Sequence, residues 1–178
     1  AALDVLPSHF GSQSSERPSE RPLLDFLHRD LAYFSVANLR RSIPSLIDGL
    51  KPSQRKVLHA CMRKRLTRSR QTKVSQLAGY VSETTGYHHG EASLVGTIVK
   101  MAQDFVGSNN VPLLVPEGQF GTRANGGDDH ASARYIFTYL QPIVPLMFPA
   151  ADEEVLRYTY EDGQRVEPFH FAPLLPML

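Results

Sequence analysis

The chain has 178 residues, of which 42% are hydrophobic and 21% are charged, a composition typical of a globular protein with one sizeable core. Its apolar runs are too short to cross a bilayer, and Asp4 and Pro7 interrupt the one apolar opening that could have been a secretory signal. We therefore expect no membrane partner. Because Cys61 is the single cysteine, an internal disulfide is excluded and a reducing compartment is favoured.

The net charge is only +1, but the charges are unevenly distributed. Residues 51–73 contain nine Lys or Arg and no Asp or Glu, whereas six acids accompany two arginines after residue 150. The basic segment indicates a surface for a polyanion, or else only the solvated end of a basic helix. Charge alone leaves both interpretations open.

Helices are predicted for the first half of the chain. Residues 1–22 are predicted to be a flexible linker, because the polar tetrapeptide Ser-Glu-Arg-Pro occurs there twice. Apolar residues at helical spacing then predict a helix that begins near Leu23. A turn-rich segment leads to a second helix, which Pro52 can open at its first position.

Two further helices are predicted on either side of the segment TTGYHHGE, over 74–81 and 91–106. Helix, glycine-containing turn and helix together form the outline of a helix-turn-helix motif. Extended residues follow, with a strand over 134–140, a short proline-limited helix and a hairpin around Asp162-Gly163. The predicted fold class is α+β, with helices first and then a wing-like loop and strands.

Arg134 and Tyr135 stand where a glycine-rich loop meets the predicted strand. A phenol, with a pKa near ~10, is a weak nucleophile until its proton is removed. Attack on a phosphodiester also needs a cation or a metal beside the non-bridging oxygens. Because neighbours in a strand point to opposite faces, Arg134 and Tyr135 could reach one phosphate only at a bend. The alternative is an ordinary edge-strand tyrosine next to a solvent-facing arginine.

His88 and His89 come just before the helix predicted over 91–106. The free backbone N–H groups and the dipole at that helix start favour a phosphate. A histidine there could donate to the phosphate or accept a proton, or it could only pack at the helix entrance. No Cys or His partner lies at zinc spacing, so no metal site is predicted in this chain.

The segment RSIPSLIDGLKPSQRK supplies further cations. Arg41, Lys51 and Arg55 could each hold a backbone phosphate. Asp48 cannot bind phosphate, so it would orient one of those cations or cap a helix. The glycine-bearing loops lack the residue pattern that follows a strand in nucleotide-binding folds, which excludes a P-loop.

Six stretches resemble, in order and spacing, the breakage-reunion region of eukaryotic-type DNA topoisomerase II, a type IIA DNA topoisomerase. They are RSIPSLIDGLKPSQRKVL, YHHGEASL, AQDFVGSNN, GQFGTR, ARYIFT and QRVEP. The resemblance covers roughly residues 23–178. It implies a winged-helix domain like that of the catabolite activator protein over 23–148, and the truncated start of a β-rich tower domain over 149–178.

The resemblance also implies roles for single residues. Tyr135 would attack duplex DNA and form a 5′-phosphotyrosyl intermediate, with Arg134 stabilising the transition-state charge. His89 would assist at the scissile phosphate, helped by His88. The DNA-binding residues that it implies are Arg41, Asp48, Lys51, Arg55, Lys56, Gln119 and Arg123.

The family consists of homodimeric enzymes that pass one double-stranded DNA through another, driven by ATP. The implied compartment is the nucleus, or alternatively the mitochondrion. Mg²⁺ would be held by a TOPRIM domain and ATP by an ATPase domain, both expected outside this chain. The chain also stops before the intercalating isoleucine of the tower and before the exit-gate coiled coil, so we expect an enzyme fragment that is inactive alone. Asp128 stands where many relatives have lysine.

Two alternatives belong to other classes. A non-catalytic winged-helix DNA-binding module would use the basic segment for phosphates and the 91–106 helix for the groove, and it would tolerate phenylalanine at position 135. A tyrosine recombinase would leave a 3′-phosphotyrosyl link, and its motif order does not fit this sequence.

Overall fold

The computed structural model describes residues 22–177, so the linker predicted over 1–22 lies almost entirely outside the described residues. Helix α1 (Leu23–Phe26), a π-helical segment (Leu27–Leu31) and helix α2 (Ala32–Ser42) follow one another without a break. The helix predicted from Leu23 is therefore confirmed. Among the described residues, 38–177 form one compact unit and 22–37 belong to another. The domain boundary near residue 148 stays a prediction.

Three longer helices form the centre of the larger unit: α3 (Pro52–Lys64), α4 (Val74–Thr85) and α5 (Glu91–Ala102). Pro52 opens α3, as its fixed φ and missing N–H favour. Helix α4 is four residues longer than predicted, and Gly86, with a φ of +57°, follows it in the left-handed conformation that often terminates a helix.

Helix α5 ends at Ala102, so the helix predicted over 91–106 is wrong for residues 103–106. The cause is a side chain from beyond the helix. Asn109 donates from Nδ2 to the carbonyl oxygens of Lys100 and Gln103, at 2.7 and 2.8 Å. These bonds satisfy carbonyl groups at the end of α5, and the backbone is extended at Gln103, the residue after the helix.

A three-stranded antiparallel sheet completes this part of the fold, in the order β1 (Thr72–Lys73), β3 (Phe137–Leu140), β2 (Leu114–Glu117). In its register, Thr138 of β3 lies opposite both Thr72 of β1 and Pro116 of β2. The two-residue strand β1 is too short to produce a periodic pattern, and the sequence did not predict it. Strand β3 begins three residues later than predicted, because residues 133–135 form a turn instead.

The chain continues through helix α6 (Val144–Met147), a 3₁₀ helix (Ala150–Glu154) and the hairpin of β4 (Tyr158–Glu161) and β5 (Gln164–Pro168). Asp162 and Gly163 have φ of +50° and +76°, the pair of positive angles of a tight hairpin turn. The predicted hairpin and the α+β class are confirmed. No helix in the described residues is both long and apolar enough to span a membrane.

The core lies between α3, α4, α5 and the three-stranded sheet. Its largest fully buried side chains include Leu58, Leu77, Leu94, Ile98, Leu114 and Ile136. Full burial of one such side chain stabilises the fold by about 1.5–3 kcal/mol. Ile136 directly follows Tyr135 and anchors the chain beside it in the core.

Candidate functional site

Tyr135 lies in a turn that is pinned to the core at both ends. Its own N–H donates to the carbonyl of Ser132 at 2.9 Å. On either side, the carbonyls of Ala133 and Ile136 accept bonds from the start of α4, at 3.1 and 3.0 Å. The Ile136 side chain is 1% exposed, whereas the Tyr135 side chain is 70% exposed. The fold therefore holds the backbone firmly and directs the phenol to solvent.

Arg134 shares the exposed side of this turn with Tyr135. Its guanidinium carbon is 5.8 Å from the centre of the Tyr135 ring, within the range of a cation–π contact. Both side chains are exposed because the pair lies in a turn rather than in the strand predicted for it. The arrangement presents a phenol oxygen and a cation together, which could meet one phosphate.

The loop that leads to this pair, residues 118–133, is called the wing. Gln103, itself 5% exposed, donates from Nε2 to the carbonyls of Phe120 at 2.8 Å and Gly127 at 3.0 Å. Gly121 has φ of +97°, and a Cβ there would overlap the backbone of Gly127. The glycines of the wing thus let two backbone segments of the loop pass close together, and the hydrogen bonds from Gln103 attach both segments to the end of α5.

Asp129 organises the tip of the wing. Its carboxylate accepts bonds from the N–H and the hydroxyl of Thr122, at 2.7 and 2.8 Å, and from the amide of Asn125 at 3.2 Å. The bond from the Thr122 N–H, followed by those from the Asn125 and Thr122 side chains, lowers the pKa of Asp129 to about 2. The ionised carboxylate therefore accepts these three bonds at neutral pH.

The wing also carries Gln119 and Arg123, both predicted to bind DNA and both exposed. Arg123 begins a 3₁₀ turn (Arg123–Asn125) and lines an open cavity of about 450 Å³ together with Lys100. Two cations facing one cavity favour an anion there. Asp128 is exposed beside Gly126 and Gly127, and nothing in the structure explains the acid at this position.

His88 and His89 lie in a turn between α4 and α5, residues 86–90, called the histidine turn. The ring of His89 packs edge-on against Tyr87 with a centroid distance of 5.4 Å. The Nε2 atom of His88 is 3.3 Å from Oε2 of Glu161, in the hairpin. Both histidines are exposed, so they remain available to a ligand.

Arg55 has a different setting from the one expected of a phosphate-binding side chain. It is 7% exposed, and its Nε lies 2.6 Å from Oδ2 of the fully buried Asp48. Its Nη2 donates to Asp48 Oδ1 at 2.9 Å and to the Leu50 carbonyl at 3.1 Å. Asp48 therefore orients a cation, as predicted for it. That cation, the guanidinium of Arg55, points inward, so it is not exposed for the phosphate contact that was predicted.

Lys56 also pairs with protein groups, and its DNA contact stays a prediction. Its Nζ contacts Glu167 at 2.9 Å, Glu161 at 3.3 Å and the carbonyl of Thr85, and the side chain is 12% exposed. Two carboxylates compensate this charge, so little of it remains for DNA. Lys51 is half-buried at the start of α3, and Arg41 is exposed and bonds to Asn38.

The structure thus joins Arg134 with Tyr135, and Asp48 with Arg55. Within residues 22–177, no hydrogen bond or ring contact joins Tyr135 to either histidine. The same residues contain no cluster of three or more His, Cys, Asp or Glu able to hold a metal ion. Sequence reasoning missed Glu161 and Gln103, which carry no local signal. It also missed Asp129, for which the Asp-Asp pair after two glycines was a usable signal.

Comparisons with known proteins agree on one family. The DNA gyrase/topoisomerase IV A-subunit family matches residues 41–178. DNA topoisomerase 2 top-2 of Caenorhabditis elegans is 57% identical over 154 residues, which are 86% of this chain and 10% of that protein. DNA topoisomerase 2, mitochondrial, of Dictyostelium discoideum is 57% identical over 86% of this chain and 12% of its own length.

A solved structure is also similar: the DNA-binding, cleavage and re-ligation domain of Plasmodium falciparum topoisomerase II. It superimposes with a TM-score of 0.79 and 48% identity, covering 85% of this chain and 20% of that one. The chain spans about a tenth of the length of the curated relatives that it matches.

Proposed function

The chain belongs to the type II DNA topoisomerases, as a segment of the eukaryotic kind, and from this premise we propose that it binds duplex DNA and cleaves it with Tyr135. The resemblance carried by the six motifs is confirmed. The observation that supports the nucleophile is the exposed Arg134-Tyr135 pair on a firmly held turn. In an ordinary edge strand the two side chains would point to opposite faces.

We propose a winged-helix domain over 23–148, with α4 and α5 as its helix-turn-helix, and the start of a tower domain over 149–178. The order of elements supports this: α3, β1, α4, α5, β2, the wing and β3, with the sheet order β1-β3-β2. In such a fold the helix-turn-helix and the wing are the parts that meet DNA.

The reaction is a transesterification. The Tyr135 oxygen bonds to phosphorus, the bond from phosphorus to the 3′ oxygen breaks, and the proton lost by the phenol ends on that oxygen. The products are a 5′-phosphotyrosyl link and a 3′-hydroxyl, and the reverse step reseals the strand. Arg134 stabilises the negative charge that develops on the non-bridging oxygens. His89 assists at the same phosphate, with His88 as its helper.

The whole protein's reaction is proposed to use Mg²⁺ and ATP. The described residues do not form a metal site, so no step is assigned here to a metal. The whole protein is further proposed to be a homodimer that passes one duplex through another, in the nucleus. The mitochondrion is the alternative, since one similar protein is named for it.

Tyr135→Phe in the full-length protein tests the nucleophile. We expect covalent protein–DNA adducts, trapped with denaturant, to disappear, while non-covalent DNA affinity stays within about twofold because the hydroxyl contributes little contact area. Tyr160→Phe is the matched control, since Tyr160 is also exposed, at 67%. Normal adduct yield in Tyr135→Phe would refute the assignment. Absence of adducts from the unsubstituted protein would favour the non-catalytic binding module.

A further inference from the structure

Glu161, at the end of β4, links the hairpin to two other elements. Its Oε1 is 3.3 Å from Nζ of Lys56 in α3, and its Oε2 is 3.3 Å from Nε2 of His88. Oε2 is shielded from solvent and makes no well-angled hydrogen bond within the described residues. A buried carboxylate oxygen without a partner is costly, and His88 Nε2, 3.3 Å away, is placed to compensate it when that nitrogen carries a proton.

Gly86, at the base of the histidine turn, leaves room for this carboxylate. A Cβ at Gly86 would overlap Oε2 of Glu161, and the φ of +57° disfavours any other residue as well. The carboxylate therefore lies directly against the backbone of the turn. The close approach places Glu161 where it can control the direction of His88.

Lys56 keeps Glu161 in place. Its Nζ contacts both oxygens of Glu167, at 2.9 and 3.0 Å, and also the carbonyl of Thr85 at the end of α4. A cation fixed in this way can hold Oε1 of Glu161 while Oε2 faces His88. The two adjacent histidines thus have separate supports, Glu161 for His88 and the Tyr87 ring for His89.

We propose that Glu161 is a positioning residue, which holds His88 and thereby fixes the histidine turn from which His89 reaches the scissile phosphate. The inference rests on the proposed function. Its mechanical basis is that a shift of about 1 Å in a catalytic group can cost a hundredfold in rate. It also means that the hairpin after residue 148 contributes to the chemistry of the domain before it.

The test uses Glu161→Gln in the full-length protein, because glutamine keeps the size and one acceptor but loses the charge. We expect the single-turnover rate of adduct formation to fall about tenfold, with DNA affinity within about twofold. Glu154→Gln removes one exposed carboxylate from the nearby 3₁₀ helix and should leave the rate unchanged. An unchanged rate in Glu161→Gln would overturn the proposal.

A double-mutant cycle separates positioning from plain stability. If Glu161 acts through His88, then Glu161→Gln added to His88→Ala slows adduct formation no further. Gly86→Ala, which displaces the carboxylate, should likewise lower the rate alone and add little to Glu161→Gln. Multiplicative losses would overturn the proposal, as would a lower melting temperature with a normal rate. If the unsubstituted protein forms no Tyr135 adduct, the proposed function itself fails, and the inference with it.

Discussion

Arg55 and Asp48 form a buried ion pair, with Nε of the arginine 2.6 Å from Oδ2 of the aspartate. The carboxylate also accepts backbone N–H bonds from Leu50 at 3.1 Å and Phe171 at 3.0 Å. It therefore ties α3 to the loop before it and to a segment more than a hundred residues later. Removal of either partner leaves the other as an uncompensated buried charge.

We expect Arg55→Ala or Asp48→Ala to lower the free energy of unfolding of the 178-residue chain by about 3–5 kcal/mol. Urea denaturation followed by circular dichroism measures this. Arg41→Ala, which removes an exposed arginine, should cost less than about 1 kcal/mol. Equal effects of Arg55→Ala and Arg41→Ala would show that the buried pair is not structural. A loss of DNA affinity in Arg55→Ala is interpretable only after correction for stability.

The salt dependence of duplex binding should separate Lys51 from Lys56. Each lost phosphate contact lowers the slope of log affinity against log salt by about 0.9. We expect that flattening in Lys51→Ala, equally for all duplex sequences. Lys56→Ala should leave the slope nearly unchanged, because Glu161 and Glu167 already compensate its charge. Filter binding over a salt series is the measurement, and a flatter slope in Lys56→Ala would place this cation on DNA.

Local signals predicted much of the fold. Pro52 opens α3 and Asp162-Gly163 turns the hairpin, as predicted, whereas the strand predicted from Arg134 begins only at Phe137. Each of these features depends on backbone preferences of a few adjacent residues. An exposed Arg134-Tyr135 pair was therefore one of the two interpretations that the residues allowed, and the family resemblance supplied the roles that are proposed for it.

Contacts between distant residues were not predictable in this way. Lys56 and Glu161 are 105 residues apart, and the basic segment gave no sign that one of its cations faces inward. The early end of α5 depends on the side chain of Asn109, which periodicity cannot register. Periodicity reports which face of an element is apolar, but it does not report which polar groups meet across the fold.

His59 should make stability depend on pH. Burial, followed by the nearby charges of Arg63, Arg165 and Lys56, lowers its pKa from 6.5 to about 4. Between these values the unfolded chain binds more protons than the folded one, so stability falls as pH decreases through this range. After allowance for the partial exposure of His59, we expect the free energy of unfolding to fall by about 1 kcal/mol between pH 7 and pH 5. In His59→Gln, denaturation curves at the two pH values should give nearly equal free energies of unfolding. If the variant loses as much stability as the unsubstituted chain, other groups cause the pH dependence.

Gln103 should control the order of the wing. Gln103→Ala leaves the carbonyls of Phe120 and Gly127 without their buried donor, at a cost of about 1–3 kcal/mol. We expect the amides of the wing to exchange faster with deuterium and adduct formation to slow, because the wing leads directly to Arg134 and Tyr135. Ser132→Ala is the control, since that side chain is exposed in the same loop. Unchanged exchange in Gln103→Ala would mean that the glycine crossing and Asp129 hold the wing without it.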